Sequence, residues 1–218
     1  MSIITIERKI LEKNDEIARR NRKLFSDRGL TVLNLVSSPG AGKTTLLERT
    51  IEELRGIVRM AVVEGDVQTD LDARRIGKWD IPVVQVVTNG GCHLDAGLVS
   101  DALEKMDMHG AQVLFVENVG NLVCPANFDL GEQLKVVVAS VTEGEDKPLK
   151  YPALFRNSSV LVINKIDLLP YINTSLAELR ANALKINPHL KVFEISCTNG
   201  SGIREWCSWL QGIAEKRP

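Results

Sequence analysis

The sequence predicts a doubly wound α/β fold with a mainly parallel, seven-stranded sheet, and three observations carry that prediction. After Gly29, seven short apolar runs rich in β-branched residues recur: 31–36 (TVLNLV), 58–64 (VRMAVVE), 83–87 (VVQVV), 112–117 (QVLFVE), 134–140 (LKVVVAS), 160–164 (VLVIN) and 191–196 (KVFEIS). Their apolar character is nearly continuous, as expected of strands covered on both faces. Each run gives way to turn residues or a helical stretch, over lengths that suit right-handed crossovers between parallel strands. In such sheets ligands bind beyond the carboxyl ends of the strands, so chemistry should sit just after these runs.

Ahead of the first run, residues 3–25 place Ile3, Ile10, Ile17 and Leu24 in a field of Glu, Lys and Arg, a spacing that predicts an amphipathic helix. Residues 1–28 are therefore read as a helix packed on or beside the domain, with a partner-binding arm as the alternative, and residues 29–218 as the domain itself. A chain of 218 residues suits one domain with a real core. With 27 basic and 28 acidic side chains the net charge is -1, which argues against sequence-independent binding to nucleic acid or an anionic membrane. No run approaches the ~20 apolar residues of a membrane helix, and the charged start does not read as a signal peptide. A soluble, cytoplasmic protein is expected. In that compartment Cys92, Cys124, Cys197 and Cys207 are poor disulfide candidates and better metal or redox candidates. Residues 119–132 and 142–157 lose the apolar rhythm and are expected to be irregular, mobile loops.

The first strand runs into Val36-Ser37-Ser38-Pro39-Gly40-Ala41-Gly42-Lys43-Thr44-Thr45, followed by a helical stretch. This is the strand, glycine-rich turn and helix of a phosphate loop, with Ser37 in the place of the first glycine. Gly40, Ala41 and Gly42 let the backbone approach phosphate, and the amides that open the helix favour an anion. Lys43 would reach the β- and γ-phosphates of a nucleotide, the Thr44 hydroxyl would bind Mg²⁺, and Thr45 joins the nucleotide-binding residues. Asn164-Lys165-Ile166-Asp167 follows another strand and resembles an N-K-x-D guanine box, in which Asp167 accepts the ring N–H and amine of guanine. Ser196 and Cys197 fall where a last guanine loop would place a backbone amide. Asp66 and Glu117 end strands and are candidate Mg²⁺ ligands. Glu117 to Gly120 has the shape of a D-x-x-G switch with Glu for Asp, Gly120 being the residue able to sense a γ-phosphate. Lys43, Asp66 and Glu117 are the candidate catalytic residues for GTP hydrolysis, Asp66 positioning the attacking water. No arginine finger is evident, so intrinsic turnover is expected to be slow.

Cys92, His93 and Cys124 form a second constellation, in Gly91-Cys92-His93-Leu94-Asp95-Ala96 and Asn121-Leu122-Val123-Cys124-Pro125-Ala126. Thiolate and imidazole suit Ni²⁺, Zn²⁺ or copper better than Mg²⁺. Both segments follow strands and so share the nucleotide's edge of the sheet. Spacing alone leaves metal binding and a structural role both open, since three soft ligands fall short of a closed zinc site. Pro125 is expected to hold Cys124 extended, its thiol outward. Cys197 and Cys207 lack a neighbouring histidine and read as structural.

The stretches SSPGAGKTTLL, EGDVQTD, GCHLDA, ENVGNLVCPA, TEGEDKPLKYP and NKIDLLP, in order over residues 31–170, make the sequence similar to the HypB family of nickel-incorporation GTPases. The resemblance implies a P-loop NTPase of the G-protein-like metallochaperone class, with GTP/GDP and Mg²⁺, and Ni²⁺ or Zn²⁺ at Cys92, His93 and Cys124. It also implies a GTP-dependent homodimer, a HypA-like nickel chaperone as partner, and a hydrogenase large subunit precursor as the destination. Related G-protein chaperones for other metalloenzymes, and a static zinc-binding GTPase module, stay open as alternatives. A P-loop kinase or ligase acting on a small molecule stays open too, Asp167 weighing against it. Two departures stand out. No cysteine precedes Cys92 and no histidine precedes His93, so the amino-terminal nickel-storage motifs of many relatives are not expected. Thr88-Asn89-Gly90-Gly91 replaces a T-G-x-G turn, so a changed turn is expected there.

Overall fold

The computed structural model of the chain describes residues 6–108 and 110–216. In chain order the elements are α1 (Ile6–Asp27), β1 (Thr31–Ser37), α2 (Lys43–Leu54), β2 (Met60–Asp66), α3 (Leu71–Gly77), β3 (Val83–Val87), α4 (Ala96–Glu104) and β4 (Val113–Glu117). There follow β5 (Leu134–Ser140), α5 (Lys147–Lys150), α6 (Pro152–Arg156), β6 (Val160–Asn164), α7 (Leu176–Ile186), β7 (Lys191–Glu194) and α8 (Ile203–Glu215). All seven expected strands form one sheet, in the order β3-β2-β4-β1-β5-β6-β7. Every pairing is parallel. The sheet is thus wholly parallel, where the sequence predicts a mainly parallel one.

Covering on both faces holds for the five inner strands and fails at the edges. β3 is half-buried and β7 mixed, because each has a neighbour on one side only. One face packs on α2 and α8: Leu33, Leu35, Val62 and Phe115 meet Leu46, Ile51, Trp206 and Leu210. Trp206 is fully buried, edge-on to Phe193, and its indole N–H donates to Thr50 Oγ1 at 2.9 Å. Truncating such a side chain costs ~3–5 kcal/mol, so α8 is a main anchor of the domain. The opposite face carries two clusters, one under α1 and α4 through Phe25, Val99 and Leu103, the other under α6 and α7 through Phe155 and Leu179. On β1, Val32 belongs to the first of these and Val36 to the second. Asn34, two residues from each, shares their face at the seam.

The α1 helix is where residues 3–25 predict one, but its buried ridge is Asn14, Ala18, Asn21 and Phe25, while Ile10 is half exposed. Ile3 lies outside the described residues. The stretch 142–157, read as an irregular loop, holds α5 and α6. Pro148 and Pro152 sit in the first turns of these helices, where a fixed φ and a missing N–H cost nothing.

Candidate functional site

The carboxyl ends of β1, β2 and β4 open into a cleft of about 460 Å³, lined among others by Gly40, Gly42, Lys43, Thr44, Thr45, Asp66, Glu117, Gly120 and Lys165. β1 ends at Ser37, and the turn passes through Gly40 and Gly42 at φ 75° and 98° before α2 begins at Lys43. A side chain at Gly42 would bring Cβ within 2.5 Å of Asn164 Nδ2, so the position needs glycine for both conformation and space. Lys43 is 8% exposed and donates from Nζ to Ser37 Oγ at 2.9 Å. The serine that replaces the first glycine therefore holds the loop's lysine. Ala41 is buried, its carbonyl accepting from Asn164 Nδ2 at 3.0 Å.

Thr44 donates its hydroxyl proton to Glu117 Oε1 at 2.8 Å, joining the phosphate loop to the end of β4. Glu64 and Asp72, which sequence reasoning missed, offer carboxylate oxygens that lie within 4.8 Å of one another and of Glu117. Burial and the neighbouring Glu117 push the Glu64 carboxyl up to about 11, and burial raises Glu117 as well. The Oε2 atoms of both glutamates are buried without hydrogen-bond partners. Buried, unpartnered hard oxygens beside a threonine hydroxyl fit a divalent cation such as Mg²⁺. Asp66 sits apart from this cluster at the rim of the cleft. Partial burial opposes its ionisation, yet the Thr69 hydroxyl and the Val67 and Thr69 amides hold its carboxyl below the usual range. Arg75 also lines the cleft, pairing with Glu48 and Asp72 and reaching Thr45 Oγ1 at 3.3 Å. Glu64 sits at the end of an apolar run, two residues before Asp66, a position that strand composition alone absorbs.

At the other end of the phosphate loop, Asn164 Oδ1 accepts from the Lys165 and Cys197 amides, at 2.7 and 3.4 Å. Lys165 takes a left-handed φ of 64° and donates from Nζ to the Gly40 carbonyl at 2.7 Å. Ser196 Oγ accepts from the Thr198 and Asn199 amides, shaping the last loop. Asp167 Oδ1 is buried without a partner, an acceptor that suits a ring N–H. Burial pushes the Cys197 thiol up to about 11 and the Cys207 thiol up to about 12, as structural cysteines would be.

The thiol and imidazole residues meet as one group: Cys92, His93 and Cys124 place ligand atoms within 4.8 Å of one another, with Cys92 exposed and the others half-buried. Hydrogen bonding with Cys124 raises the Cys92 thiol, and burial lowers His93, which favours the neutral ring a metal requires. This soft donor set fits nickel or zinc. Cys124 is not extended as Pro125 suggests. It opens a 3-10 turn, Cys124–Ala126, in which proline is accommodated near the start. Lys135, 7% exposed on β5, sets that turn by donating to the Pro125, Ala126 and Phe128 carbonyls at 3.1, 3.4 and 3.0 Å. Before Cys92, the Gly91 amide closes a turn onto the Thr88 carbonyl at 3.1 Å, with Asn89 and Gly90 at φ 49° and 99°. Asparagine tolerates the left-handed region, so Asn89 closes this turn without glycine.

Side-chain amides join the two centres. Asn118, next to Glu117, accepts at Oδ1 from the Leu94 amide at 2.9 Å and donates from Nδ2 to Asn34 Oδ1 at 3.2 Å. Asn121 donates to the Cys92 carbonyl at 3.3 Å. A Cβ on Gly120 would lie 3.0 Å from Pro39, so the segment after Glu117 rests on the phosphate loop. Among the described residues no helix is long and apolar enough to cross a membrane.

The sequence model of the CobW/HypB/UreG nucleotide-binding domain matches residues 31–194. The chain is 51% identical over 209 residues to the hydrogenase maturation factor HypB of Escherichia coli, covering 96% of this chain and 72% of that protein. The crystal structure of HypB from Archaeoglobus fulgidus superposes with a TM-score of 0.88 at 38% identity, over 94% of this chain and all of that one (100%). HypB from Helicobacter pylori, solved in complex with nickel, gives a TM-score of 0.88 at 33% identity over 94% and 96% of the two chains. The fold, the phosphate loop and these similarities agree: the chain belongs to the HypB hydrogenase maturation factors, within the CobW/HypB/UreG family of P-loop nucleotide-binding proteins.

Proposed function

We propose that this chain is a GTP-hydrolysing metallochaperone that binds nickel, or zinc in its place, at Cys92, His93 and Cys124 and couples its nucleotide state to nickel delivery during hydrogenase maturation. The observation that carries the coupling is the short path from Glu117 to the thiols. Glu117 holds Thr44 of the phosphate loop, Asn118 holds the Leu94 amide beside His93, and Asn121 holds the Cys92 carbonyl. Glu117 to Gly120 already touch the phosphate loop through Thr44 and Pro39, so the γ-phosphate of bound GTP reorders this segment in place, as in other order-disorder switches. Because Lys135 anchors the turn after Cys124, the motion is taken up by residues 121–123 and passed to Cys92 through Asn121.

For hydrolysis, Lys43 stabilises charge on the transferring phosphoryl group and Asp66 positions the attacking water. Thr44 and Glu117, with Glu64 and Asp72 beside them, would hold Mg²⁺, which neutralises charge on the β- and γ-phosphates when bound. Base choice falls to Asp167, with Asn164, Lys165, Ser196 and Cys197 shaping the loops around it. The nickel-carrying form is a GTP-dependent homodimer, receiving metal from a HypA-like chaperone and serving a hydrogenase large subunit precursor, in the cytoplasm. The reading gains support from the nickel complex of the Helicobacter pylori relative.

Coupling is reciprocal, so nickel also alters nucleotide affinity. The test is a titration of Ni²⁺ and Zn²⁺ into protein loaded with GDP or a non-hydrolysable GTP analogue, with mass measured alongside. Different nickel affinities in the two states are expected, lost in Cys92→Ser. Identical affinities would sink the coupling, and metal that resists a mild chelator in both states would favour a static zinc scaffold.

A further inference from the structure

The buried ridge of α1 puts two amides where packing alone would favour apolar side chains. Asn14 is 5% exposed and Asn21 is 2% exposed. Asn14 Oδ1 accepts from the Ala96 amide at 2.9 Å, and its Nδ2 donates to the Asp129 carbonyl at 2.8 Å. Asn21 Nδ2 donates to the Ala96 carbonyl at 2.9 Å and to the Leu130 carbonyl at 3.0 Å. The Ala96 residue is thus held from both its N–H and its C=O. Both asparagines bridge the start of α4, which the Cys92–His93 loop leads into, to the loop that follows Cys124. Ala96 lies just after His93, while Asp129 and Leu130 lie just after Cys124.

Two further contacts make the bridge rigid. The His93 and Phe128 rings meet across it with centroids 3.9 Å apart. Gly131, at φ 91°, lets the second loop lie flush on α1: a Cβ there would sit 2.6 Å from the Ala18 carbonyl oxygen and 2.8 Å from the Arg22 amide. Docking a helix needs only apolar contact, and buried amides add little net stability even when fully paired. What hydrogen bonds add is direction, so this pairing specifies where each loop sits relative to the other.

We infer that α1 is a positioning clamp for the metal site, Asn14 and Asn21 fixing the spacing of Cys92 and His93 against Cys124 and thereby the affinity of the cluster. The inference rests on the reading that these three residues bind nickel or zinc. Groups that orient metal ligands without touching the metal commonly change affinity by ~10–100-fold when removed.

The test uses the full chain with Asn14→Leu, Asn21→Leu and, as easily accommodated alternatives, Asn14→Ser and Asn21→Ser. Phe25→Leu is the control, since Phe25 is a fully buried residue of the same ridge that makes none of these bonds. Ni²⁺ is titrated while thiolate-to-nickel charge-transfer absorption is recorded, with thermal unfolding and GDP binding measured alongside. The asparagine variants should weaken nickel binding by about tenfold or more and alter the absorption band, with GDP affinity unchanged. Phe25→Leu should lose stability while keeping the parent's nickel affinity and band. Parent-like nickel binding in the asparagine variants, or equal weakening in Phe25→Leu, would overturn the clamp. A parent nickel signal unaffected by Cys92→Ser and Cys124→Ser would overturn the metal site itself and the clamp with it.

Discussion

Asp167→Asn isolates base selection, because it changes one charge and one acceptor while keeping the side chain's shape. Asp167 Oδ1 is buried and has no hydrogen-bond partner, so the carboxylate keeps acceptor capacity for a ligand. Guanine offers a ring N–H and an adjacent exocyclic amine, two donors spaced to meet one carboxylate. Hydrogen bonds to a charged group contribute roughly 1.5–3 kcal/mol each, so the pair amounts to at least about 3 kcal/mol. Asparagine keeps one neutral acceptor for the ring N–H, so losing one bond outright and the charge on the other weakens GDP by about a hundredfold at ~1.4 kcal/mol per decade. The new amide also points a donor at guanine's amine, which adds to the loss. Xanthine carries a carbonyl at that carbon and accepts from the amide, so the variant should turn toward xanthosine nucleotides. Competition of GDP, ADP and XDP against a fluorescent guanine nucleotide measures all three preferences at once. An Asp167→Asn protein with the parent's preference for GDP would refute the assignment and revive a kinase-like reading of the cleft.

Gly120→Ala adds a methyl group 3.0 Å from Pro39, so the switch should no longer seat on the phosphate loop. GTP hydrolysis is expected to fall by about tenfold or more with GDP affinity within a few-fold, and parent-like hydrolysis would count against the switch. Lys135→Met leaves the Pro125 and Phe128 carbonyls without their donor, the Ala126 carbonyl with Asn157 Nδ2 at 3.1 Å, and Glu132, at 3.7 Å, without its counter-ion. We expect a loss of about 3–5 kcal/mol in urea unfolding together with weaker nickel binding; an unchanged midpoint would contradict it. Glu64→Gln tests the buried carboxyl. A folded pKa raised from 4.5 to about 11 means that its stabilising contribution is full below pH 4.5 and is lost as pH rises. The metal-free parent should lose stability between pH 5 and 8 by up to about 1.4 kcal/mol per pH unit, and the variant's profile should be flatter. Parallel profiles would show that Glu64 ionises freely in the fold.

The division between what is readable in the chain and what is not follows the range of the interactions. Strands such as 134–140 and 160–164 emerge with their observed bounds, because continuous β-branched runs have few alternatives to a covered parallel sheet. The phosphate loop and the N-K-x-D stretch are equally legible as patterns, since the spacing of glycine, lysine and carboxylate in each is set within a few residues. The amphipathic helix at the start is legible as a helix, and Leu24 of its expected stripe packs on the core, but the fully buried residues lie to one side of that stripe. Ile10 and Ile17 suggest one stripe, while the buried ridge runs through Asn14 and Asn21. A polar residue on a helix reads as solvated, and only distant Ala96, Asp129 and Leu130 show otherwise.

Cys124 repeats the lesson: local sequence favours an extended residue before Pro125, and Lys135 on the neighbouring strand gathers the carbonyls of a tight turn instead. Sequence by itself thus determined the fold class, the nucleotide motifs and the identity of the three soft metal candidates, all of which rest on short-range pattern. Tertiary structure decided that Glu64 and Asp72 join Glu117, that Ser37 serves Lys43, and that α1 bridges the start of α4 to the loop that follows Cys124. The physical reason is burial. A carboxylate or an amide inside a fold is defined by its partners, and here those partners lie on other strands and loops, up to 115 positions away along the chain.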